Sequence, residues 1–146
     1  MIVSKLEPAQ AVSLWDNLEP GVQEIYLHSG GTFGWAPADV LAAFRNKEAT
    51  ACFVYEGEER LGWFVYRFMV EAATRRPYCH VWLAWVKPEW RGKMNGVMAG
   101  CADWLTKEVK KRGCKYIEMD SNRPGWMRDG PRLGFIPHRI VYRKEI

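Results

Sequence analysis

The segment Val86-Lys87-Pro88-Glu89-Trp90-Arg91-Gly92-Lys93-Met94-Asn95-Gly96 constrains this chain most. It follows an apolar run rich in aromatic and β-branched residues, and it precedes a helical pattern. A strand that ends in a basic, Gly-containing loop and feeds directly into a helix builds an anion site. Successive backbone N–H groups face into such a loop, and the helix N-terminus adds about half a positive charge. A phosphate or pyrophosphate fits there without a dedicated side chain.

The rest of the composition narrows the setting. With 146 residues, 48% hydrophobic and 26% charged, the chain matches one ordinary globular domain, residues 1–146, with enough length to bury a core. No apolar run approaches the ~18 residues that a membrane span needs. The first residues lack a charged region followed by an apolar one, so the cytoplasm is the expected location. Cys52, Cys79, Cys101 and Cys114 are far apart and form no C-x-x-C pair, which predicts buried free thiols and no metal site. A net charge of +4 is compatible with a polyanionic ligand and does not require one. Eight tryptophans are too many for the core of so short a chain, so some are expected to line a groove.

The periodicities predict the order β-α-α-β-β-β-α-β-(α)-β. A strand is expected at 2–6, then a helical region at 8–28 divided at Pro20-Gly21, and a helix at 35–46 opened by Pro37. Strands at 51–55 and 61–70 flank a hairpin turn, and a third runs over 78–86. A long helix over 94–112 closes on Gly113. A strand at 115–119, an irregular helix or loop at 122–133 and a final strand at 135–144 complete the chain.

This order, with the loop at Arg91, resembles the GNAT superfamily of acetyl-CoA-dependent N-acetyltransferases over nearly the whole chain. The family hallmark, Gln/Arg-x-x-Gly-x-Gly/Ala, reads here Arg91-Gly92-Lys93-Met94-Asn95-Gly96, and Val86-x-Pro88-x-Trp90 looks like its lead-in. Asn122 followed by Arg132-Leu133-Gly134-Phe135 resembles the family's late signature. The resemblance implies an α/β (α+β) fold with a central mixed, mostly antiparallel sheet of about six strands flanked by helices. It also implies transfer of acetyl from acetyl-CoA directly to a primary amine, without a metal. Two departures stand out. Met94 stands where the hallmark has its Gly before the final Gly/Ala, and Gly130 occupies the place of the tyrosine that commonly protonates the leaving thiolate.

Under this resemblance, backbone amides of Trp85 and Val86 run along the thioester, and Arg91, Gly92, Lys93, Met94, Asn95 and Gly96 hold the pyrophosphate. Asn122 either contacts the pantetheine or caps the next turn. His80 sits at the family's base position, eleven residues before Arg91, and a histidine has a suitable pKa near neutrality. The alternative is a histidine paired within the sheet. Tyr142 on the last strand is either a replacement phenol or a core aromatic. Glu71, Asp120 and Asp129 are rim candidates or ordinary solvated carboxylates.

The acceptor side falls to the glycine-rich loop at 28–35, where Phe33 and Trp35 are available to stack, with Glu71 as a further substrate contact. Trp82, Trp85 and Trp126 complete an aromatic-walled groove or belong to the core. The acceptor is an amine on a small molecule or protein, and the chain is a monomer or homodimer. Two rival readings follow from the same residues. One is a degenerate GNAT fold that binds CoA or serves as a structural protein, based on Met94 and Gly130. The other is a nucleic-acid-directed acyltransferase, based on His138, Arg139, Arg143 and Lys144.

Overall fold

The computed structural model describes residues 1–121 and 123–146. The strands β1 (Ile2–Lys5), β2 (Thr50–Glu56), β3 (Glu59–Val70), β4 (Pro77–Val86) and β5 (Ile117–Met119) form one sheet in sequence order. The first four pair antiparallel, and β4 pairs with β5 in parallel through Cys79–Ile117, His80–Glu118 and Val81–Met119. Helices α1 (Pro8–Ser13), α2 (Trp15–Ser29) and α3 (Pro37–Arg45) precede β2. Helix α4 (Asn95–Lys110) connects β4 to β5, and α5 (Gly125–Arg132) follows. Among the described residues, no helix is long and apolar enough to cross a membrane.

The central strands are buried on both faces, so their apolar residues sort by parity. Ala51, Phe53, Trp63, Val65 and Leu83 face α1, α2 and α3, and pack on Leu18, Val22, Val40 and Phe44. Cys52, Val54, Phe64, Tyr66 and Cys79 face α4, and pack on Leu105 and Val109. All four cysteines are free, as their spacing predicts.

Three sequence expectations are corrected. Residues 135–146 form no strand, so the sheet described here has five strands where about six were expected. Strand β5 spans only three residues and offers little edge to pair with. The terminal segment is tethered by side chains instead: Arg139 meets Glu118 at 3.4 Å, and Arg143 donates to the Thr32 carbonyl at 2.7 Å. The first helical region divides at Leu14, and Pro20 lies inside α2. Helix α4 begins at Asn95, with Met94 outside it as the N-cap.

Gly21 does not break α2 because its role is contact. A Cβ there would lie 2.7 Å from Trp63 and 2.8 Å from Trp85, whose rings stack at 6.2 Å. Gly21→Ala gains about 1 kcal/mol of helix propensity but loses roughly 1–3 kcal/mol to overpacking. The contacts below 3 Å involve ring carbons held in a stack, so overpacking is expected to win. Thermal unfolding should show a lower midpoint for Gly21→Ala, and an equal or higher one would contradict this packing.

Candidate active site

Beyond Val81, β4 has no β5 neighbour, because their pairing stops there. A bulge at Trp82, where Val65 opposes Leu83 but Tyr66 opposes Val81, also reverses the phase of the strand. The bond from Lys87 N–H to the Leu61 carbonyl, 2.9 Å, sets that phase at the strand's end. By alternation the Trp85 N–H faces β3 opposite Trp63, and Ala84 and Val86 present theirs to the open side. The expected Trp85 amide is therefore replaced by that of Ala84. The Val86 carbonyl confirms the phase, since it accepts from Arg91 Nε at 3.1 Å on the side away from β3.

The loop after β4 is a short turn, Pro88–Trp90, in which Trp90 Nε1 donates to Glu59 at 2.9 Å. Trp90, Arg91 and Lys93 N–H groups bond back to Lys87, Pro88 and Trp90 carbonyls. Gly92 turns the chain at φ +80°, a conformation that glycine adopts without strain. The N–H groups of Gly92, Met94, Asn95, Gly96 and Val97 have no backbone acceptor among the described residues. Gly92, Met94 and Asn95, with Met98, line a cavity of about 390 Å³ whose other wall is Arg128, Asp129 and Arg132 of α5. Met94 fits because its φ is −102°, which accommodates a Cβ, and its side chain is buried. Lys93 is exposed.

Arg91 acts differently from expectation. Its guanidinium turns back, giving Nε to the Val86 carbonyl and a terminal N–H to Glu24 at 2.6 Å. Glu24 also accepts from Trp85 Nε1 at 2.7 Å. The Trp85 bond, then Arg91, hold the Glu24 carboxyl below the usual carboxylate range. Arg91 thus clamps the loop to β4 and α2. The cations at the cradle are Arg128 and Arg132, which the sequence reading missed. Arg128 is bonded to Asp129 at 2.8 and 3.1 Å.

His80 lies opposite Arg67 across the β3–β4 pair, with its side chain 12% exposed. Arg67 Nε donates to His80 Nδ1 at 3.1 Å. That bond requires a lone pair on Nδ1, so the neutral ring carries its proton on Nε2, which faces Asp120 at 3.6 Å. Burial first, then the Arg67 charge, pull the imidazole below its ordinary value, while Asp120 and Glu118 oppose them. Arg67 also stacks on Trp82 at 4.2 Å and lines a cleft of about 410 Å³ with Phe33, Trp35 and Glu48. Trp35 and Trp82 meet edge to face at 6.1 Å, so these expected acceptor-side aromatics share a cleft with Arg67, the hydrogen-bond partner of His80.

Other expected residues lie elsewhere. Glu71 sits beyond the end of β3, where it accepts from Thr74 and from Tyr116 at 2.7 Å, outside the cleft. Tyr142 is 90% exposed in the irregular terminal segment and not on a strand. Asn122 lies outside the described residues. At Gly130 a Cβ would stand 3.3 Å from Trp126 and 3.7 Å from Phe135, so a side chain there would press on the Trp126 ring. Among the described residues no cluster of His, Cys, Asp or Glu could hold a metal.

The profile of the Acetyltransferase (GNAT) family matches residues 14–126. No curated protein sequence matches the chain. Several solved structures share the fold at low identity. A probable acetyltransferase superposes with a TM-score of 0.72 at 13% identity, covering 100% of this chain and 98% of that one. A ribosomal-protein-alanine N-acetyltransferase from Brucella melitensis biovar Abortus 2308 gives 0.67 at 15%, covering 100% of both. An aminoglycoside acetyltransferase from an uncultured soil metagenomic sample, in complex with sisomicin, gives 0.67 at 7%, covering 99% and 95%. The chain belongs to the GNAT family of acetyltransferases, which are acyl-CoA N-acyltransferases.

Proposed function

We propose that this chain transfers acetyl from acetyl-CoA directly to a primary amine, with His80 taking the amine's proton. One observation carries the reading. The open edge of β4 runs from the N–H cradle at its end back to Val81, and the mostly buried His80 follows at once on the same strand, where β5 pairing begins. Gly92, Met94, Asn95, Gly96 and Val97 N–H groups, with Arg128 and Arg132, are the residues that would hold a pyrophosphate. Their donor chemistry fits it: free N–H groups at a helix start plus two guanidinium groups. Bound acetyl-CoA supplies an acetyl group activated as a thioester.

The chain's own groups do the remainder. The unpaired Ala84 and Val86 N–H groups face the side where an acyl carbonyl needs a hydrogen-bond donor. An ammonium acceptor gives one proton to His80, which frees the lone pair that forms the C–N bond as the C–S bond breaks. The nitrogen's second proton balances the released thiolate. The place of the family's usual tyrosine is held by Gly130, which has no group to protonate the thiolate.

Calorimetry should detect acetyl-CoA binding, weakened roughly tenfold by Arg132→Glu, the loss of one charge-assisted contact. No binding at millimolar ligand contradicts the cradle.

His80→Ala should lower kcat by about 10²–10⁴-fold with acetyl-CoA affinity nearly unchanged. The base works unprotonated and its pKa is depressed, so kcat/KM should fall only as pH drops below 6.5, the ordinary imidazole value. Wild-type activity that already falls between pH 8 and 7 removes His80 from the role.

A further inference from the structure

Arg67 is the unusual cation of the acceptor cleft. It is half-buried, yet no carboxylate lies within 4 Å of it among the described residues. Its one hydrogen bond goes to a neutral ring, His80, and the face of its guanidinium rests on Trp82. A guanidinium has five N–H donors, and its terminal fork matches a carboxylate with two parallel bonds. The cleft that Arg67 lines is where such a group can arrive.

The bond to His80 also carries a chemical consequence. The only lone pair of the neutral ring is on Nδ1, and Arg67 occupies it. A base whose lone pair is engaged cannot accept a proton. The arrangement is therefore closed until Arg67 shifts.

We propose that the acceptor is an amine whose carboxylate is separated from its nitrogen by one or two carbons, as in an α-amino acid, and that this carboxylate draws Arg67 off His80 to expose the base. This inference rests on the reading of His80 given above. A carboxylate offers the guanidinium an opposite full charge and two parallel bonds where a neutral imidazole offers one lone pair, so it outcompetes the imidazole. His80 and Arg67 are cross-strand partners, so an acceptor held on Arg67 by its carboxylate brings an adjacent amine to Nδ1. Once freed, Nδ1 lies across the ring from Nε2–H, which still faces Asp120, and that carboxylate stabilises the imidazolium that forms. The charged groups around His80 are Arg67 on β3, Glu118 on β5, Asp120 just after it and Arg139 of the terminal segment. Trp35 and Trp82 provide an aromatic wall for the rest of the acceptor.

L-phenylalanine and phenethylamine differ only by the carboxylate and serve as probes. With the full chain, kcat/KM should favour L-phenylalanine by roughly 10- to 100-fold, because the analogue leaves a buried polar group unpaired. Arg67→Met should lower turnover of L-phenylalanine and raise that of phenethylamine, whereas loss of a merely structural residue lowers both. Without acetyl-CoA, nitrogen NMR of His80 should show Nδ1 released from its hydrogen bond by L-phenylalanine and untouched by phenethylamine. Equal use of the two amines overturns the proposal, as does preference for spermidine, which indicates a cleft selecting cations through Glu48. An unchanged Nδ1 signal overturns it even if neither amine is acetylated. If His80→Ala leaves turnover intact, the base assignment itself fails; if only the carboxylate preference is missing, the base stands and this inference falls.

Discussion

The proposed site depends on β4 having a partner on one of its edges for only part of its length. Three residues pair with β5, and that edge then runs on open to Val86 while β3 stays paired on the other side. A strand edge left open usually recruits another strand, so proteins normally cover or disrupt it. Here the bulge at Trp82 and the departure of the chain into the Pro88 turn leave the edge at the mouth of the N–H cradle. In the proposed function, the amides of Ala84 and Val86 on that edge are donors for a ligand rather than a defect of the sheet.

The clamp at Glu24 keeps that geometry in place. One carboxylate binds Trp85 of β4 and Arg91 of the loop, while Arg91 also binds the Val86 carbonyl. Helix α2, the end of β4 and the loop are therefore joined through two side chains. Gly21, one turn before Glu24 on α2, lets the helix approach the Trp63–Trp85 stack closely enough for the carboxylate to reach. The packing of α2 and the position of the cradle are thus one problem. An exposed ion pair alone contributes little, and its value here lies in orientation.

Much of this was legible in the chain. Strand periodicity located β2, β3 and β4, because both faces of the sheet are buried and each parity is apolar. The lead-in and loop motif pointed to the turn after β4 and to His80 as candidates, and the structure places both on β4 and its exit. Other features had no local signal. Arg128 and Arg132 reach the cradle from α5, more than thirty residues beyond the loop, and nothing in their spacing shows it. Arg91 reads as a phosphate ligand until Glu24, 67 residues away, is seen to hold it. Residues 135–144 have a strand-like composition, but a strand also requires a neighbour, and β5 is too short to supply one. Tyr142 was misplaced for the same reason.

The pairing of Arg67 with His80 shows why a residue's type does not settle its role. Two groups that are cations at low pH stand side by side in a half-buried cross-strand position, which is tolerable only if one is neutral. Burial and the guanidinium both act on the imidazole, since an arginine retains its proton throughout the working range. The same contact therefore favours the unprotonated ring, after burial, and engages the nitrogen that would accept a proton. If His80 is the base, as proposed, it is held ready and withheld by one bond, and whatever competes for Arg67 decides when it becomes available.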